Sequence, residues 1–69
     1  MQTFQLEKHD FIELYKLLKI TQLVGSGGEG KHMIDAGLVK VNGEVETQRR
    51  KKIRKNDLVE FNGESVKVE

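Results

Sequence analysis

The stretch from 26 to 43, with the sequence SGGEGKHMIDAGLVKVNG, constrains the fold more than any other part of the chain. Ser26 and Glu29 have the spacing of a capping box, in which each side chain bonds a free backbone amide at a helix start, so a helix is predicted to begin at Gly27. Gly37 stands where a left-handed residue often ends a helix. The stretch therefore predicts one short helix defined at both ends by local chemistry.

The two faces of this helix differ in character. Small or apolar residues recur with the i, i+3, i+4, i+7 spacing of one face, and they are Gly30, Met33, Ile34 and Gly37. Because Gly30 has no side chain, we expect another helix to approach closely there. The opposite face carries Gly28, Lys31, His32 and Asp35. Lys31 and Asp35 have the i, i+4 spacing of an ion pair.

The segment from 25 to 32, GSGGEGKH, also matches the spacing G-x-x-x-x-G-K of a phosphate-binding loop. That loop requires Ser or Thr after the lysine to bind magnesium, and this chain has His32. The loop also follows a buried parallel strand of a larger sheet, for which 69 residues leave little room. Capping explains Ser26 and Glu29, and packing explains Gly30. We therefore interpret the segment as a helix start, and we expect no cofactor and no metal site.

A first helix is predicted before this unit. Asp10 and Glu13 repeat the capping-box spacing. An apolar stripe of helical period follows, and it consists of Phe11, Leu14, Tyr15 and Leu18. We predict a helix over 10–19 whose stripe packs in the core.

Two short apolar segments flank this predicted helix. Phe4 and Leu6 alternate with polar residues, which predicts a short strand over 3–6. Residues 20–24, ITQLV, form a connection that is either a short strand or an apolar loop inserted in the core.

The dipeptide Asn62-Gly63 predicts a tight hairpin near the end of the chain. A two-residue turn there pairs Val59 with Val66. It also places four apolar residues on one face of the hairpin, namely Val59, Phe61, Val66 and Val68.

The dipeptide Asn42-Gly43 predicts a second tight turn after a strand with the sequence VKV. A two-residue turn would pair Val41 with Glu44 and Lys40 with Val45, which mixes apolar and charged residues on each face. We therefore expect either a bulge after the turn or pairing of the strand with another part of the chain.

Charge is concentrated in one place. Residues 49–55, RRKKIRK, contain six of the 12 Lys and Arg residues and no acid, and we call them the basic segment. The formal net charge is only +1, so the rest of the chain is acidic on balance. A local positive field on a mildly acidic body favours a polyanionic partner.

The basic segment is predicted to be irregular. Ile53 is the one strongly apolar residue between 47 and 57. A regular strand with Ile53 inside would bury Lys51 and Lys55, at a large desolvation cost. We expect an exposed loop held by Ile53, with Asn56-Asp57 turning into the last hairpin.

Length and composition limit the function classes. A chain of 69 residues is one small domain with a thin core and no room for a deep active site between domains. The chain has no cysteine, and no apolar run reaches the length of a membrane span. Its start lacks the blocks of a signal peptide. We expect a soluble, monomeric, cytoplasmic protein that is not an enzyme, since no nucleophile and base occur in a catalytic pattern.

The order of these features resembles a known family. The helix from Ser26, Gly37, the V-x-V-N-G of 39–43, the basic segment and Asn56-Asp57 together look like the RNA-binding domain first seen in ribosomal small-subunit protein four, also called the alpha-L motif. The resemblance covers about residues 10–61. It is greatest to small stand-alone members, the YbcJ-like and YaaA-like bacterial proteins.

The resemblance implies a fold and a partner. The fold would be α+β, with two short packed helices against a small, mainly antiparallel β-sheet. Longer members carry Ser-Arg-x-x-Ala-Arg at the second helix start, where this chain has Gly27, Gly30 and Lys31, so the first arginine contact is lost. The helical face and hairpin loop of the family dock on structured RNA, usually ribosomal or transfer RNA, which also implies ribosome association.

Lysine and arginine supply phosphate contacts to A-form RNA, which is recognised mainly by shape and backbone. Our candidate RNA-binding residues are Ser26, Lys31, His32, Lys40, Arg49, Arg50, Lys51, Lys52, Arg54 and Lys55. Ser26 enters because the free amides of Gly27 and Gly28 could hold a phosphate. Phe4, Phe11, Tyr15 and Phe61 are expected in the core rather than stacked on bases. The alternative is a protein-interaction module whose basic segment docks an acidic partner.

Overall fold

Two helices and seven short strands make up the computed structural model, which describes residues 1–69. In chain order they are β1 Gln2–Phe4, β2 Ile12–Glu13, α1 Leu14–Ile20, α2 Gly27–Asp35, β3 Val39–Val41, β4 Glu44–Val45, β5 Lys52–Ile53, β6 Leu58–Phe61 and β7 Glu64–Val68. Neither helix is long and apolar enough to cross a membrane.

The sheet is mainly antiparallel. Five strands lie in the order β1-β7-β6-β3-β4, and only β1 and β7 run parallel. The strands β2 and β5 form a separate antiparallel pair. Two helices packed on a small, mainly antiparallel sheet confirm the predicted α+β class.

One hydrophobic core lies between the helices and one face of the sheet. Its fully buried side chains come from both layers, and they are Leu14, Leu17, Leu18, Ile34, Val39, Ile53, Val59, Val66 and Val68. Val24 is also buried, in a connection that forms no strand, so the apolar-loop alternative for 20–24 is the one observed. Leu6 is buried just beyond the end of β1.

The start of α1 differs from the prediction. The helix begins at Leu14, and no side chain caps it, so the predicted Asp10–Glu13 capping box is wrong. Instead, the amides of Leu14 and Tyr15 donate to the carbonyls of Lys51 and Arg49, at 2.9 and 3.1 Å. A tertiary partner thus satisfies amides that a local cap would otherwise bond.

The start and end of α2 confirm the prediction. Ser26 Oγ accepts a hydrogen bond from the Glu29 amide at 3.1 Å, and the helix begins at Gly27. The Glu29 carboxylate accepts from the amide of Gly25 at 3.2 Å, one residue before the usual partner in a capping box. Gly37 ends the helix with φ of +76°, a conformation that glycine adopts without steric cost.

The two helices meet at Gly30. A β-carbon on this buried residue would lie 3.3 Å from the carbonyl oxygen of Tyr15 and 3.4 Å from Cγ2 of Val24. The backbone of α1 therefore occupies the space that a side chain would need, as the sequence predicted.

The final hairpin has the predicted register, with Val59 opposite Val66 across the Asn62-Gly63 turn. The Asn42-Gly43 turn also closes a regular two-residue hairpin, with Val41 opposite Glu44. The expected bulge is therefore wrong, and the strand pairs both there and with β6. The mixed pattern is tolerated because β4 is an edge strand whose Val45 stays exposed.

The region from 47 to 57 is largely irregular, and Ile53 is fully buried, as predicted. The pairing of Ile53 with Ile12 and of Lys52 with Glu13 was not predicted. This ladder is only two residues long, so Lys51 and Lys55 remain exposed beside a buried Ile53.

Replacing Gly30 with valine should destabilise the fold by about 1–3 kcal/mol, because the new side chain collides with the backbone of Tyr15. Urea denaturation measures the change. Gly28→Val is the matched control, since a β-carbon there lies no nearer than 3.9 Å to the Ser26 hydroxyl. Equal stability of the two variants would contradict the close helix contact.

Candidate nucleic-acid interface

The basic segment is bound to the amino end of α1 through its own backbone. Its carbonyls at Arg49 and Lys51 accept the two helix amides described above. On the side-chain level, Arg50 Nε lies 3.8 Å from Glu13 Oε2. Together with the β2–β5 ladder, these contacts fix the basic segment at the amino end of α1.

A second connection joins the basic segment to α2. The guanidinium of Arg49 forms a bidentate pair with the Asp35 carboxylate, and Nε lies 2.9 Å from Oδ1. This hydrogen bonding lowers the pKa of Asp35 below its ordinary value and raises the pKa of Arg49. The predicted pair of Lys31 with Asp35 is therefore wrong. The Nζ of Lys31 instead lies 4.7 Å from the ring centre of Tyr15.

Asp57 fixes the carboxyl end of the basic segment. Its two carboxylate oxygens accept hydrogen bonds from the Arg54 amide at 2.8 Å and from Asn42 Nδ2 at 3.0 Å. Asn42 Oδ1 in turn accepts from the Leu58 amide at 2.9 Å. Asn56 has φ of +79°, a left-handed conformation that asparagine adopts more readily than most residues. The role of Asp57 was missed, although the Asn-Asp dipeptide marked its position.

Four cations of the basic segment are exposed and outside the ion pairs: Lys51, Lys52, Arg54 and Lys55. An exposed cation that is not paired with a carboxylate keeps its charge available to an anionic partner. The anchoring contacts involve mainly backbone atoms and Arg49, so the segment is held in place without neutralising these four side chains.

Three predicted site residues lie outside the basic segment and near α2. Lys31 is half-buried against Tyr15, and His32 is exposed one turn before Asp35. Ser26 bonds the Glu29 amide, and the Glu29 carboxylate beside it disfavours an anion.

Lys40 lies on the other side of the sheet. Its neighbours Val39 and Val41 are buried under the helices, and successive side chains of a strand point to opposite faces. Lys40 is exposed on the outer face, with Glu60 as its partner on β6. The fold therefore separates Lys40 from the cations of the basic segment.

Phe11 is not a core residue, which corrects the sequence prediction. Its side chain is 39% exposed, and its ring centre lies 5.0 Å from Lys52 Nζ and 5.8 Å from Arg54 Cζ. Helical periodicity misplaced it because the helix begins only at Leu14, and Phe11 lies before it in a segment with no regular secondary structure. Phe4, Tyr15 and Phe61 do pack against the core, as predicted.

The sequence and fold match known proteins over nearly the whole chain. The family model of the S4 domain matches residues 4–69. The chain belongs to the S4 domain family. YbcJ of Escherichia coli strain K12 is 47% identical over 68 residues, which cover 99% of this chain and 97% of YbcJ. YbcJ of Shigella flexneri has the same identity and coverage.

Two solved structures share the fold. The solution structure of YbcJ from E. coli, described as revealing an alfaL motif involved in RNA-binding, superposes with a TM-score of 0.76 over 99% of this chain and 86% of that chain. The 30S ribosomal protein S4e of Thermoplasma acidophilum is 27% identical with a TM-score of 0.70, and the match covers 84% of this chain and 31% of S4e. The resemblance of this S4 domain to YbcJ-like proteins is thus confirmed.

The Asp35–Arg49 pair should make the stability of this S4 domain depend on pH in acid. Since the pair lowers the pKa of Asp35 from its ordinary 3.8, its contribution is present above that pH and is lost as pH falls through the lowered pKa. Asp35→Asn should therefore lower the urea midpoint at about pH 7, and this deficit should be smaller at about pH 2.

The exposed Glu64, which forms no ion pair, provides the control Glu64→Gln. The urea midpoint of that variant should equal that of the original protein at both pH values. A deficit of Asp35→Asn that persists undiminished in acid would contradict the role of the charged pair.

Proposed function

We propose that residues 1–69 form a single, non-enzymatic RNA-binding domain that recognises structured RNA, ribosomal or transfer RNA, through the face that carries the basic segment. The observation that carries this proposal is the anchoring of the basic segment to both helices, with four of its cations left unpaired. The protein would act as a monomer in the cytoplasm and associate with ribosomes.

The arrangement suits a folded RNA better than a flexible single strand. The deep, narrow major groove of A-form RNA excludes side chains, so proteins contact its phosphates and the shape of its surface. Because the basic segment is already anchored, its cations can bind the fixed phosphates of a folded RNA with little further ordering of the loop.

The relatives support the same partner. The YbcJ structure is described as containing a motif involved in RNA-binding, and YbcJ covers nearly all of this chain at 47% identity. S4e belongs to the 30S ribosomal subunit, which favours ribosomal RNA among structured RNAs.

The ten proposed contact residues are not equivalent. Arg50 and the four unpaired cations of the basic segment are expected to contribute most. Arg49 has one guanidinium edge bound to Asp35 and positions the segment as well. Lys31 and His32 extend the face along α2. Ser26 and Lys40 are expected to contribute least. Ser26 lies beside the acidic Glu29, and Lys40 lies on the opposite face of the sheet.

Binding should depend strongly on salt. If about four phosphates are contacted, affinity for a structured ribosomal RNA fragment should fall about a hundredfold between 50 and 200 mM salt. Lys51→Gln/Lys55→Gln removes two of these contacts, so the slope of log affinity against log salt should decrease by about two. Filter binding or fluorescence anisotropy measures both values.

The matched control is Lys8→Gln/Lys19→Gln, which removes the same charge from exposed lysines outside the basic segment. It should leave the slope nearly unchanged. Binding that is independent of salt, or equal slopes for the two double variants, would contradict the proposed face. Capture of a protein partner that survives nuclease treatment would instead favour an acidic protein as the ligand.

A further inference from the structure

The exposed ring of Phe11 is held at the border of the basic segment. Phe11 directly precedes β2, which pairs with the β5 strand that contains Lys52. Lys52 and Arg54 both place their charged groups within 6 Å of the ring centre. Since this aromatic side chain is 39% exposed rather than buried, core packing does not account for its whole surface.

Phe11 also forms part of the wall of a groove of about 440 Å³ between the amino-terminal segment and α1. The groove has a mainly apolar lining, to which the side chains of Phe4, Leu6, Phe11, Ile12 and Ile20 contribute. Its polar lining includes Glu7, His9, Glu13 and Lys16, and Lys16 Nζ lies 3.1 Å from Glu13 Oε1. An apolar groove thus opens beside the cations of the basic segment.

We propose that this groove accepts an unpaired nucleotide of the bound RNA, with its base stacked on Phe11 and its phosphate held by Lys52 and Arg54. The inference rests on the proposed RNA-binding function and adds the class of RNA feature that is recognised. It means that the domain contacts one extruded base in addition to the phosphates of a folded RNA.

The chemistry of the groove selects this occupant. Unstacked bases bind to aromatic rings and to the plane of an arginine guanidinium, and Phe11 and Arg54 provide both near one point. The charges of Glu13 and Lys16 offset each other and Glu7 adds a negative charge, so the groove lining offers no net positive site for a phosphate, whereas a neutral base can enter. The cations lie at the Phe11 end, where the phosphate of the same nucleotide would remain outside.

The same charges disfavour the other occupants. A second copy docked at Phe11 would bring two basic segments together, and their like charges would repel. An acidic peptide would meet Glu7 in the groove, whose negative charge no ion pair offsets. A nucleotide separates its anionic and apolar parts in the way that this surface separates cations and apolar side chains.

The test compares an RNA hairpin with a fully paired stem and the same hairpin with one unpaired adenosine in the stem. The protein should bind the second hairpin more tightly, by about fivefold or more, since stacking of a base on an aromatic ring is of that size. Phe11→Leu retains an apolar side chain without the ring, and it should abolish this preference while binding the paired hairpin as the original protein does. Phe11→Trp should retain the preference.

A direct readout replaces the adenosine with the fluorescent base 2-aminopurine. Its emission should change on binding the original protein and not on binding Phe11→Leu, whose thermal unfolding is measured in parallel. Leu38→Ala, which removes another exposed apolar side chain, is the control and should behave as the original protein.

Each contrary outcome has a distinct meaning. Equal binding of both hairpins, or a preference that survives Phe11→Leu, overturns this inference and leaves the proposed RNA-binding function standing. Failure to bind either hairpin contradicts that function and this inference together. A dimer in light scattering that Phe11→Leu dissociates assigns the groove to a second copy and also overturns the inference.

Discussion

The first helix of this domain depends on hydrogen bonds that its amides donate to carbonyls more than 30 residues further along the chain. The amides of Leu14 and Tyr15 would lack partners at the helix start, and the carbonyls of Lys51 and Arg49 accept them. Burial of Ile53 keeps those carbonyls in place, because it fixes the basic segment to the core. Because of these hydrogen bonds, α1 and the basic surface form together when the chain folds.

This coupling has an electrostatic consequence. Six cations within seven positions repel each other, and the contacts that hold them are backbone hydrogen bonds, one buried isoleucine and the carboxylates of Asp35, Glu13 and Asp57. The fold thus maintains a positive surface that is only partly neutralised from within. A polyanion bound there, as we propose, would relieve the remaining repulsion.

Local chemistry in the sequence was sufficient to predict some elements of the fold and insufficient to predict others. Ser26–Glu29 and Asp10–Glu13 have the same spacing, yet only the first forms a cap. The helix after the second begins at Leu14, where distant carbonyls accept the first helix amides. The Asn62-Gly63 hairpin was predictable since turn chemistry and apolar alternation agree there. The β2–β5 ladder could not be predicted, because a strand of two residues has no periodic pattern in the sequence. Phe11 was assigned to the core wrongly, because its helical spacing to Leu14 and Tyr15 is coincidental. The charged residues of the candidate site could be identified from the sequence. That Lys40 lies apart from the others could be seen only in the folded structure.

Amide hydrogen exchange of Leu14 and Tyr15, followed by NMR, tests the central claim most directly. These two amides have no acceptor within their own helix, so their protection reports on the basic segment alone. We predict that in the RNA-free protein they exchange as slowly as the buried amides of α1, and that RNA leaves this protection unchanged. Exchange as rapid as that of exposed loop amides, with protection gained only when RNA binds, would contradict a preformed basic surface.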